Sequence, residues 1–355
     1  MYRKKDKKEL LVMIILFITC LAAVFFLIGA KNKNFGRYFI ANLPVNLTTG
    51  DLYNYAEVAD FSEPIKQLSS YNKNQSLNEA KILFFGDSFS RTSLDSLPLP
   101  VEIEKSSGFK TFYPPSNVDV SQYLLNNNYQ NENQKVIVIE TVERNIDINL
   151  GLEDRPSVET TSAPVASGLY QKLTIFLFNQ TELEYFIKNN YFLKPIRLWL
   201  KQLAYQYFGD IDNMTSLYSR NPKMLFFSEE VNFNQDVNKL RPENMEKLID
   251  KIVQLNKELK EKYNLKMILV VVPNKLSIYH DILKNDPGYD NFLPLLQGEL
   301  KKCNIDYVDL YQEYSSMHQR NRNFALYYSN DTHYTASGKM ILVNKLLEKI
   351  KNYLK

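Results

Sequence analysis

A serine that directly follows a short apolar segment is the strongest chemical signal in the chain. Ser88 comes after KILFF (81–85), a run typical of a buried strand, and Gly86 precedes it by two residues. A sharp turn from strand to helix presents a serine hydroxyl to a base and to backbone N–H groups that can stabilise an oxyanion. Gly86 carries no side chain to crowd such a turn. The pattern predicts a nucleophile, and an ordinary turn is the alternative.

One of the three histidines lies in the sequence Asp-Thr-His-Tyr-Thr, shortly before the C-terminus. An aspartate two residues before a histidine in a loop can direct its carboxylate at the imidazole N–H, which fixes the tautomer and stabilises the imidazolium. The segment therefore predicts His333 as a general base and Asp331 as its orienting acid. The alternative is a helix-capping segment in which Thr335 is the cap and His333 faces solvent.

The segments around these residues predict an α/β fold with a central, mostly parallel sheet. Continuous apolar strands are typical of a parallel sheet covered on both faces. Amphipathic helices are predicted at 242–263 and at about 335–354. Strands that alternate with helices favour a three-layer, doubly wound sandwich. The predicted strands are KILFFG (81–86), KVIVIE (135–140), KMILVVVP (266–273) and IDYVDL (305–310).

The N-terminus combines a basic tail, residues 1–9, with an uncharged apolar segment, LLVMIILFITCLAAVFFLIGA (10–30). A run of about 20 apolar residues can cross a bilayer as a helix and exceeds the apolar region of a cleavable signal peptide. The sequence thus predicts a single-pass anchor in the cell membrane, with the basic N-terminus cytoplasmic and everything after residue 31 extracytoplasmic. A cleaved signal peptide is the alternative.

Composition excludes several classes of protein. The 355 residues are 45% hydrophobic and 23% charged with a net charge of +3, so nothing indicates a nucleic-acid partner. Cys303 is the one cysteine after residue 30, which allows no disulfide there. The sequence contains no phosphate loop, dinucleotide fingerprint or zinc-ligand spacing, so it predicts neither a cofactor nor a metal.

Domain boundaries are predicted from changes in composition. We expect residues 31–80, which are polar and rich in asparagine, to form a stalk and entry segment, and residues 81–355 to form the catalytic domain. Within it, residues 147–240 are rich in aromatics and predict an insertion or cap. Packing onto the sheet would explain those aromatics, and so would a surface for sugar, membrane or a partner protein, since Trp199 and the tyrosines suit all three.

Together, the serine segment and the Asp-x-His segment resemble the SGNH, or GDSL-like, hydrolase superfamily. Gly-Asp-Ser-Phe (86–89) with Asp-Thr-His-Tyr-Thr-x-x-Gly (331–338) is most similar to the SGNH-like proteins of alginate and cell-envelope polysaccharide O-acetylation. Val-Pro-Asn-Lys (272–275) and Glu-Thr-Val-Glu-Arg (140–144) are similar to segments of that group. The resemblance covers 81–355 and implies a triad in which Ser88 is the nucleophile, His333 the base and Asp331 the orienter, with the Ser88 N–H as one oxyanion donor.

Two features depart from the superfamily pattern. The Gly-x-Asn-Asp block that supplies an oxyanion-hole asparagine is absent, since that site reads Glu-Thr-Val-Glu (140–143). In the alginate proteins the Asp-x-His segment precedes the serine segment, whereas here it follows. A solvated helix face is the alternative for the arginine after Ser88, and packing is the alternative for the tyrosines. The further candidates for oxyanion or substrate binding are Gly86, Asp87, Arg91, Arg144, Tyr328 and Tyr334.

The resemblance implies an extracytoplasmic O-acyltransferase, most directly an O-acetyltransferase, that modifies a secreted or cell-wall polysaccharide through a serine acyl-enzyme. The alternatives are an SGNH esterase or deacetylase acting on acylated glycans, and a non-catalytic adaptor of a glycan-modification complex. With the predicted topology, the resemblance also implies a polytopic membrane acyltransferase as acyl donor, beside the polysaccharide acceptor.

Overall fold

The structure is a computed structural model of the whole chain, and it describes residues 3–31, 47–68, 76–114, 118–130, 135–150, 188–215 and 217–354. The chain divides into two compact units. We call Met1–Pro44 with Val158–Phe208 the helical unit, and Val45–Ser157 with Gly209–Lys355 the sheet unit. Residues 151–187, part of the predicted insertion, lie outside the described residues, as does much of the predicted stalk.

The strands of the described residues belong to one large sheet and two small ones. They are β1 Leu47–Thr49, β2 Pro64–Lys66, β3 Ile82–Phe85, β4 Thr111–Phe112, β5 Lys135–Val142, β6 Leu217–Arg220, β7 Lys223–Phe226, β8 Leu265–Val272 and β9 Tyr307–Val308. The large sheet has the order β4-β3-β5-β8-β9, and every pair in it is parallel. The pairs β1-β2 and β6-β7 are antiparallel. The predicted parallel sheet is therefore confirmed.

The α-helices of the described residues are α1 Arg3–Lys31, α2 Asp51–Ala56, α3 Ser88–Arg91, α4 Leu99–Ser107, α5 Val120–Asn126, α6 Ile146–Asn149, α7 Leu193–Phe208, α8 Ser228–Gln235, α9 Pro242–Tyr263, α10 Lys275–Tyr279, α11 Phe292–Lys302, α12 Leu310–Arg320 and α13 Ala336–Tyr353. Short 3-10 helices lie at Ala59–Phe61, Glu143–Asn145, Asn213–Thr215, Val237–Leu240 and His280–Ile282. The predicted helix at 242–263 is confirmed as α9, with Pro242 in its first turn.

The large sheet separates two apolar cores. Because successive strand residues point to opposite faces, Ile82 and Phe84 of β3 enter a core with α4, α12 and α13. Leu83 and Phe85 enter a second core with α5, α9 and α11. Both faces of the sheet are thus covered, as expected for an α/β sandwich of three layers.

The N-terminal helix α1 exposes the side chains of residues 11–25. Among the helices of the described residues, none combines the length and the apolar character that a membrane crossing requires. The transmembrane anchor predicted at residues 10–30 is therefore not supported.

Two other segments differ from the sequence-based expectations. Helix α2 and the β1-β2 hairpin, which fall in the predicted stalk, belong to the sheet unit. On α7 of the helical unit, Trp199, Tyr207 and Phe208 are 60%, 77% and 84% exposed. These aromatics favour the account in which they form a surface over the account in which they are packed.

Candidate active site

The turn between β3 and α3, residues 86–88, is held by the side chain of Asp87. Asp87 caps α3, since its Oδ1 accepts a hydrogen bond from the Phe89 N–H at 2.9 Å. Its Oδ2 accepts from the Val142 N–H on β5 at 2.8 Å. The carboxylate is buried and ties the turn to the neighbouring strand. Asp87 therefore fixes the position of Ser88 from below, on the side of the sheet.

Only glycine fits at position 86. A Cβ atom there would lie 2.4 Å from Oε2 of Glu140 and 2.7 Å from Oγ of Ser90. Oε2 of Glu140 accepts the Asp87 N–H at 3.1 Å, so the crowding group itself supports the turn. Burial, together with the nearby Asp87 charge, raises the pKa of Glu140 well above its usual range.

The structure brings together the three residues for which sequence predicted coupled chemistry. Nε2 of His333 lies 2.9 Å from Oγ of Ser88, and Nδ1 of His333 lies 2.7 Å from Oδ1 of Asp331. The His333 backbone N–H donates to the same Oδ1 at 2.9 Å. These contacts form a continuous chain of hydrogen bonds from hydroxyl through imidazole to carboxylate. Such an arrangement can move a proton off a serine hydroxyl.

The carboxylate of Asp331 is buried yet kept ionised. Burial alone would raise its pKa, but the hydrogen bonds and charge of His333, with the backbone N–H groups of His333 and Asp51, outweigh burial and lower the pKa. An ionised Asp331 holds the proton of the imidazole on Nδ1, which leaves Nε2 free to accept the proton of Ser88.

An aromatic shelf supports the imidazole. The Phe89 ring centroid lies 4.6 Å from that of His333, and Tyr334 packs edge-on against Phe89. The Tyr334 hydroxyl donates to the Phe89 carbonyl at 2.5 Å, and Tyr334 is fully buried. Tyr334 thus joins the loop of His333 to the helix of Ser88 by packing.

Two other predicted residues also contact the framework of the site. Arg91 donates from Nη2 to the Gly86 carbonyl, so its guanidinium lies against the serine turn. The Tyr328 hydroxyl donates to the Leu94 carbonyl at 3.2 Å and to Oδ2 of Asp95 at 3.0 Å.

Arg144 lies at the carboxyl end of β5, close to the shelf. Its guanidinium carbon is 5.9 Å from the Phe89 ring centroid and 5.4 Å from that of Phe227. Nη1 lies 3.4 Å from both Oε1 of Glu230 and Oδ1 of Asn274, and the side chain is 9% exposed. Arg144 is thus a buried cation with a carboxylate partner beside the serine helix.

A buried carboxyl group joins the carboxyl ends of β5 and β8. Oε2 of Glu143 accepts from the Asn274 N–H at 2.8 Å and the Ser277 hydroxyl at 2.6 Å, and Oε1 accepts from the Tyr289 hydroxyl at 2.6 Å. Burial raises the pKa of Glu143 to about 7, although these three hydrogen bonds oppose the rise.

Lys275 is fully buried behind the loop of His333. Its Nζ donates to the Leu225 carbonyl at 3.0 Å, and the Leu225 N–H donates to the Ser329 carbonyl at 2.8 Å. Burial lowers the pKa of Lys275 to about 8, against the raising effect of charges that include Glu230 and Asp51. Lys275 thus supports β7, which in turn supports the loop.

Sequence reasoning missed Asp51 as a neighbour of the site. Oxygens of Asp51 and Asp331 and a nitrogen of His333 lie within 4.8 Å of one another, a spacing that a metal ion could use. Hydrogen bonds account for these atoms, since Asp331 pairs with His333 and Asp51 accepts from Thr332. Asp51 lies 280 residues before Asp331 in the chain, and the sequence around it carries no motif.

A scan against protein-family models matches residues 221–352 to the SGNH hydrolase-like domain of the acetyltransferase AlgX. The matched range includes Asp331 and His333 and begins after Ser88. On this match the chain is assigned to the SGNH-like superfamily, whose fold implies acyl transfer or ester hydrolysis. No curated protein matches the chain.

Solved structures with a similar course of the chain include an acetyl xylan esterase, AlAXEase, at 11% identity and a TM-score of 0.36, which covers 76% of this chain and 98% of that one. A putative GDSL-like lipase from Parabacteroides merdae shares 11% identity with a TM-score of 0.34, covering 79% and 99%. An acetylxylan esterase from Geobacillus stearothermophilus shares 12% identity with a TM-score of 0.32, covering 76% and 94%. Scores this low leave the assignment with the family model.

Proposed function

We propose that this protein is an O-acyltransferase, most directly an O-acetyltransferase, that modifies a secreted or cell-wall polysaccharide through an acyl-enzyme on Ser88. The observation that carries the proposal is the relay of 2.9 Å and 2.7 Å contacts that joins Ser88 to His333 and His333 to Asp331. The family model, which describes an acetyltransferase domain, supports the choice of acyl transfer. An adaptor that only binds glycan would not need this relay.

In the first half-reaction, Oγ of Ser88 attacks the carbonyl carbon of an acyl ester while Nε2 of His333 takes the hydroxyl proton. The Ser88 N–H has no acceptor within α3, because Ser88 is its first residue, and it can donate to the developing oxyanion. The tetrahedral intermediate then releases its alkoxide, which takes the proton from His333. The acyl group remains as an ester on Ser88.

In the second half-reaction, Nε2 of His333 takes a proton from a sugar hydroxyl, and that oxygen attacks the acyl carbon. Collapse of the intermediate breaks the bond to Oγ, and His333 returns the proton to Ser88. Asp331 stays ionised in both halves and stabilises the imidazolium, in keeping with its lowered pKa. The polytopic membrane acyltransferase predicted as donor gains no support from the described residues, and any acyl ester of suitable shape satisfies these steps.

An esterase acting on acylated glycans is the second candidate. Ser88 is exposed, so water can reach an acyl group on its Oγ. Water would then replace the sugar hydroxyl in the second half-reaction, with the same three residues in the same roles. Transfer requires that the sugar compete successfully with water at this position.

The test follows an acyl group through the full-length chain. Wild-type protein and the Ser88→Ala variant are incubated with an activated acetyl ester, with and without a glycan acceptor, and the acetyl group is located by mass spectrometry. We expect acetylation of Ser88 in the wild type, none at that position in the variant, and a fall in turnover of about 10³-fold or more.

The fate of the acetyl group separates the two candidates. Acetylated glycan supports the transferase, whereas free acetate at the same rate with and without glycan supports the esterase. A variant with near-normal turnover would contradict both. Ser90→Ala is the matched control, because its hydroxyl donates to the Asp87 carbonyl inside the turn.

A further inference from the structure

We infer that the segment of residues 50–63, which precedes the first core strand, is part of the active site and that Asp51 is a positioning residue for the pair Asp331 and His333. This inference rests on the proposed function and goes beyond it. It assigns a role in acyl transfer to a segment for which sequence predicted a stalk. We call residues 50–63 the N-terminal clamp and residues 329–335 the acid-base loop.

Asp51 contacts the acid-base loop with both its backbone and its side chain. Its N–H donates to Oδ2 of Asp331 at 2.9 Å, which fixes the oxygen that does not face the imidazole. Its Oδ1 accepts from the Thr332 N–H at 2.7 Å, and its Oδ2 accepts from the Thr332 hydroxyl. The same Oδ2 lies 3.9 Å from Nδ1 of His333. Asp51 thus holds the carboxylate of Asp331 and the backbone that links it to His333.

The clamp also holds the residue before Asp331. Nδ2 of Asn330 donates to the Phe61 carbonyl at 3.1 Å and to the Glu63 carbonyl at 2.7 Å, and the Asn330 carbonyl accepts from the Tyr53 N–H at 3.0 Å. A Cβ atom on Gly50 would lie 2.0 Å from the Asn330 carbonyl oxygen, so the two backbones pass in close contact. The acid-base loop is therefore held from the clamp at three consecutive residues, 330 to 332.

The orientation of Asp331 depends on these contacts. A carboxylate can rotate about its side-chain bonds, and it orients an imidazole only if its second oxygen is held. Here the N–H of Asp51 holds that oxygen. Small displacements of a catalytic pair cost large factors in rate because the proton transfer requires a defined geometry. Loss of Asp51 should therefore lower kcat and leave KM for a small acyl ester nearly unchanged.

The experiment compares three substitutions of Asp51 in the full-length chain, with kcat and KM measured on an activated acetyl ester. Asp51→Asn keeps the backbone N–H and an oxygen that can accept from Thr332, so it should retain most of kcat. Asp51→Ala loses the side-chain contacts, and we expect a fall of about tenfold to a hundredfold. Asp51→Pro also loses the N–H to Asp331 and should fall further.

Proline suits this comparison because Asp51 is the first residue of α2, a position that tolerates proline. Gly50 has φ −57° and ψ 154°, a conformation allowed before proline. The matched control is Asp309→Ala, which also removes an aspartate at a helix start, where Oδ1 accepts from the Gln312 N–H at 3.0 Å. We expect that control to leave kcat unchanged, with folding of all variants checked by circular dichroism.

A second measurement asks whether Asp51 acts through Asp331. The loss from Asp51→Ala should be much smaller in an Asp331→Asn background than in the wild type, since the group to be positioned is already impaired. Equal losses in both backgrounds, a change confined to KM, or unchanged kcat in Asp51→Ala would overturn the inference. Failure of the proposed function is seen separately, as undiminished turnover in Ser88→Ala.

Discussion

At the scale of single residues, the site depends on one carboxylate whose two oxygens have different tasks. Oδ1 of Asp331 faces the imidazole at 2.7 Å, while Oδ2 accepts the N–H of Asp51 at 2.9 Å. Both contacts favour the ionised form, which agrees with the lowered pKa of Asp331. An ionised partner for His333 is what a serine nucleophile with an imidazole base requires.

The relay predicts strongly non-additive losses. If Ser88, His333 and Asp331 act as one unit, removing a second member after the first adds little, because both changes block the same step. We expect His333→Ala to approach the defect of Ser88→Ala, Asp331→Asn to be milder, and the double variant Ser88→Ala, His333→Ala to match the worse single variant. The measurement is the rate of acyl release from an activated ester for all four proteins.

Losses that multiply in the double variant would show independent roles and would return the loop to the alternative of a helix cap. His280 would then be the next candidate for the base. Its Nδ1 lies 2.7 Å from Oδ1 of Asp286, so His280→Ala is also the matched control for removal of an imidazole with a carboxylate partner. We expect His280→Ala to retain full activity.

Sequence could propose Ser88, Asp331 and His333 because each lies in a local motif whose chemistry is readable from neighbouring residues. It could not propose Asp51, since the contact with Asp331 spans 280 residues and depends on where the chain enters the sheet unit. The buried groups Glu143 and Lys275 were visible only as letters beside strands. Their hydrogen bonds depend on how the ends of β5, β7 and β8 meet in three dimensions.

At the scale of elements, helix α13 determines where the acid-base loop lies. The Thr335 hydroxyl caps the helix by accepting the Gly338 N–H at 3.1 Å. A Cβ atom on Gly338 would lie 2.3 Å from the Leu326 carbonyl oxygen. The strand-like bridge between Tyr327 and Tyr334 follows directly, so the helix and both ends of the loop are in close contact.

This contact predicts different outcomes for two glycines in helices. Gly338→Ala must displace the Leu326 backbone, so we expect a loss of about 1–3 kcal/mol in unfolding free energy and a rate lower by about tenfold or more. Gly298 in α11 has open space where a Cβ would be, so Gly298→Ala should gain up to about 1 kcal/mol with no change in rate. Urea denaturation and ester turnover measure both effects, and equal behaviour of the two variants would contradict the close contact.

The fold was predictable to the extent that its elements carry their own periodicity. The four longer apolar runs gave strands, and the 3.6-residue pattern of 242–263 gave α9 with the same ends as in the structure. Strand β4 was missed because two residues, Thr111–Phe112, are too few to show a pattern. The helix and hairpin of residues 47–66 were missed because their segment is polar and their packing partners lie elsewhere in the chain.

At the scale of the whole molecule, buried ionisable groups make the stability of the sheet unit depend on pH. Glu143 has a pKa of about 7 in the folded chain, against 4.5 as its model value. The folded state therefore binds more protons than the unfolded state between these values. The stabilisation that follows is complete below about pH 4.5, declines as the pH rises and is gone above about pH 7. This range corresponds to about 3 kcal/mol at most.

Glu143→Gln should remove this dependence without breaking the junction of β5 and β8. The glutamine oxygen can accept from the Asn274 N–H and the Ser277 hydroxyl, and its NH₂ group can donate to the Tyr289 hydroxyl. Urea denaturation of the wild type and the variant at about pH 5 and about pH 8 measures the effect, and we expect the wild type to lose more stability between the two. Glu299→Gln is the control, because that carboxylate pairs with Lys302 at the surface. If Glu143→Gln and the wild type lost the same stability between the two pH values, the proton on Glu143 would not contribute to folding.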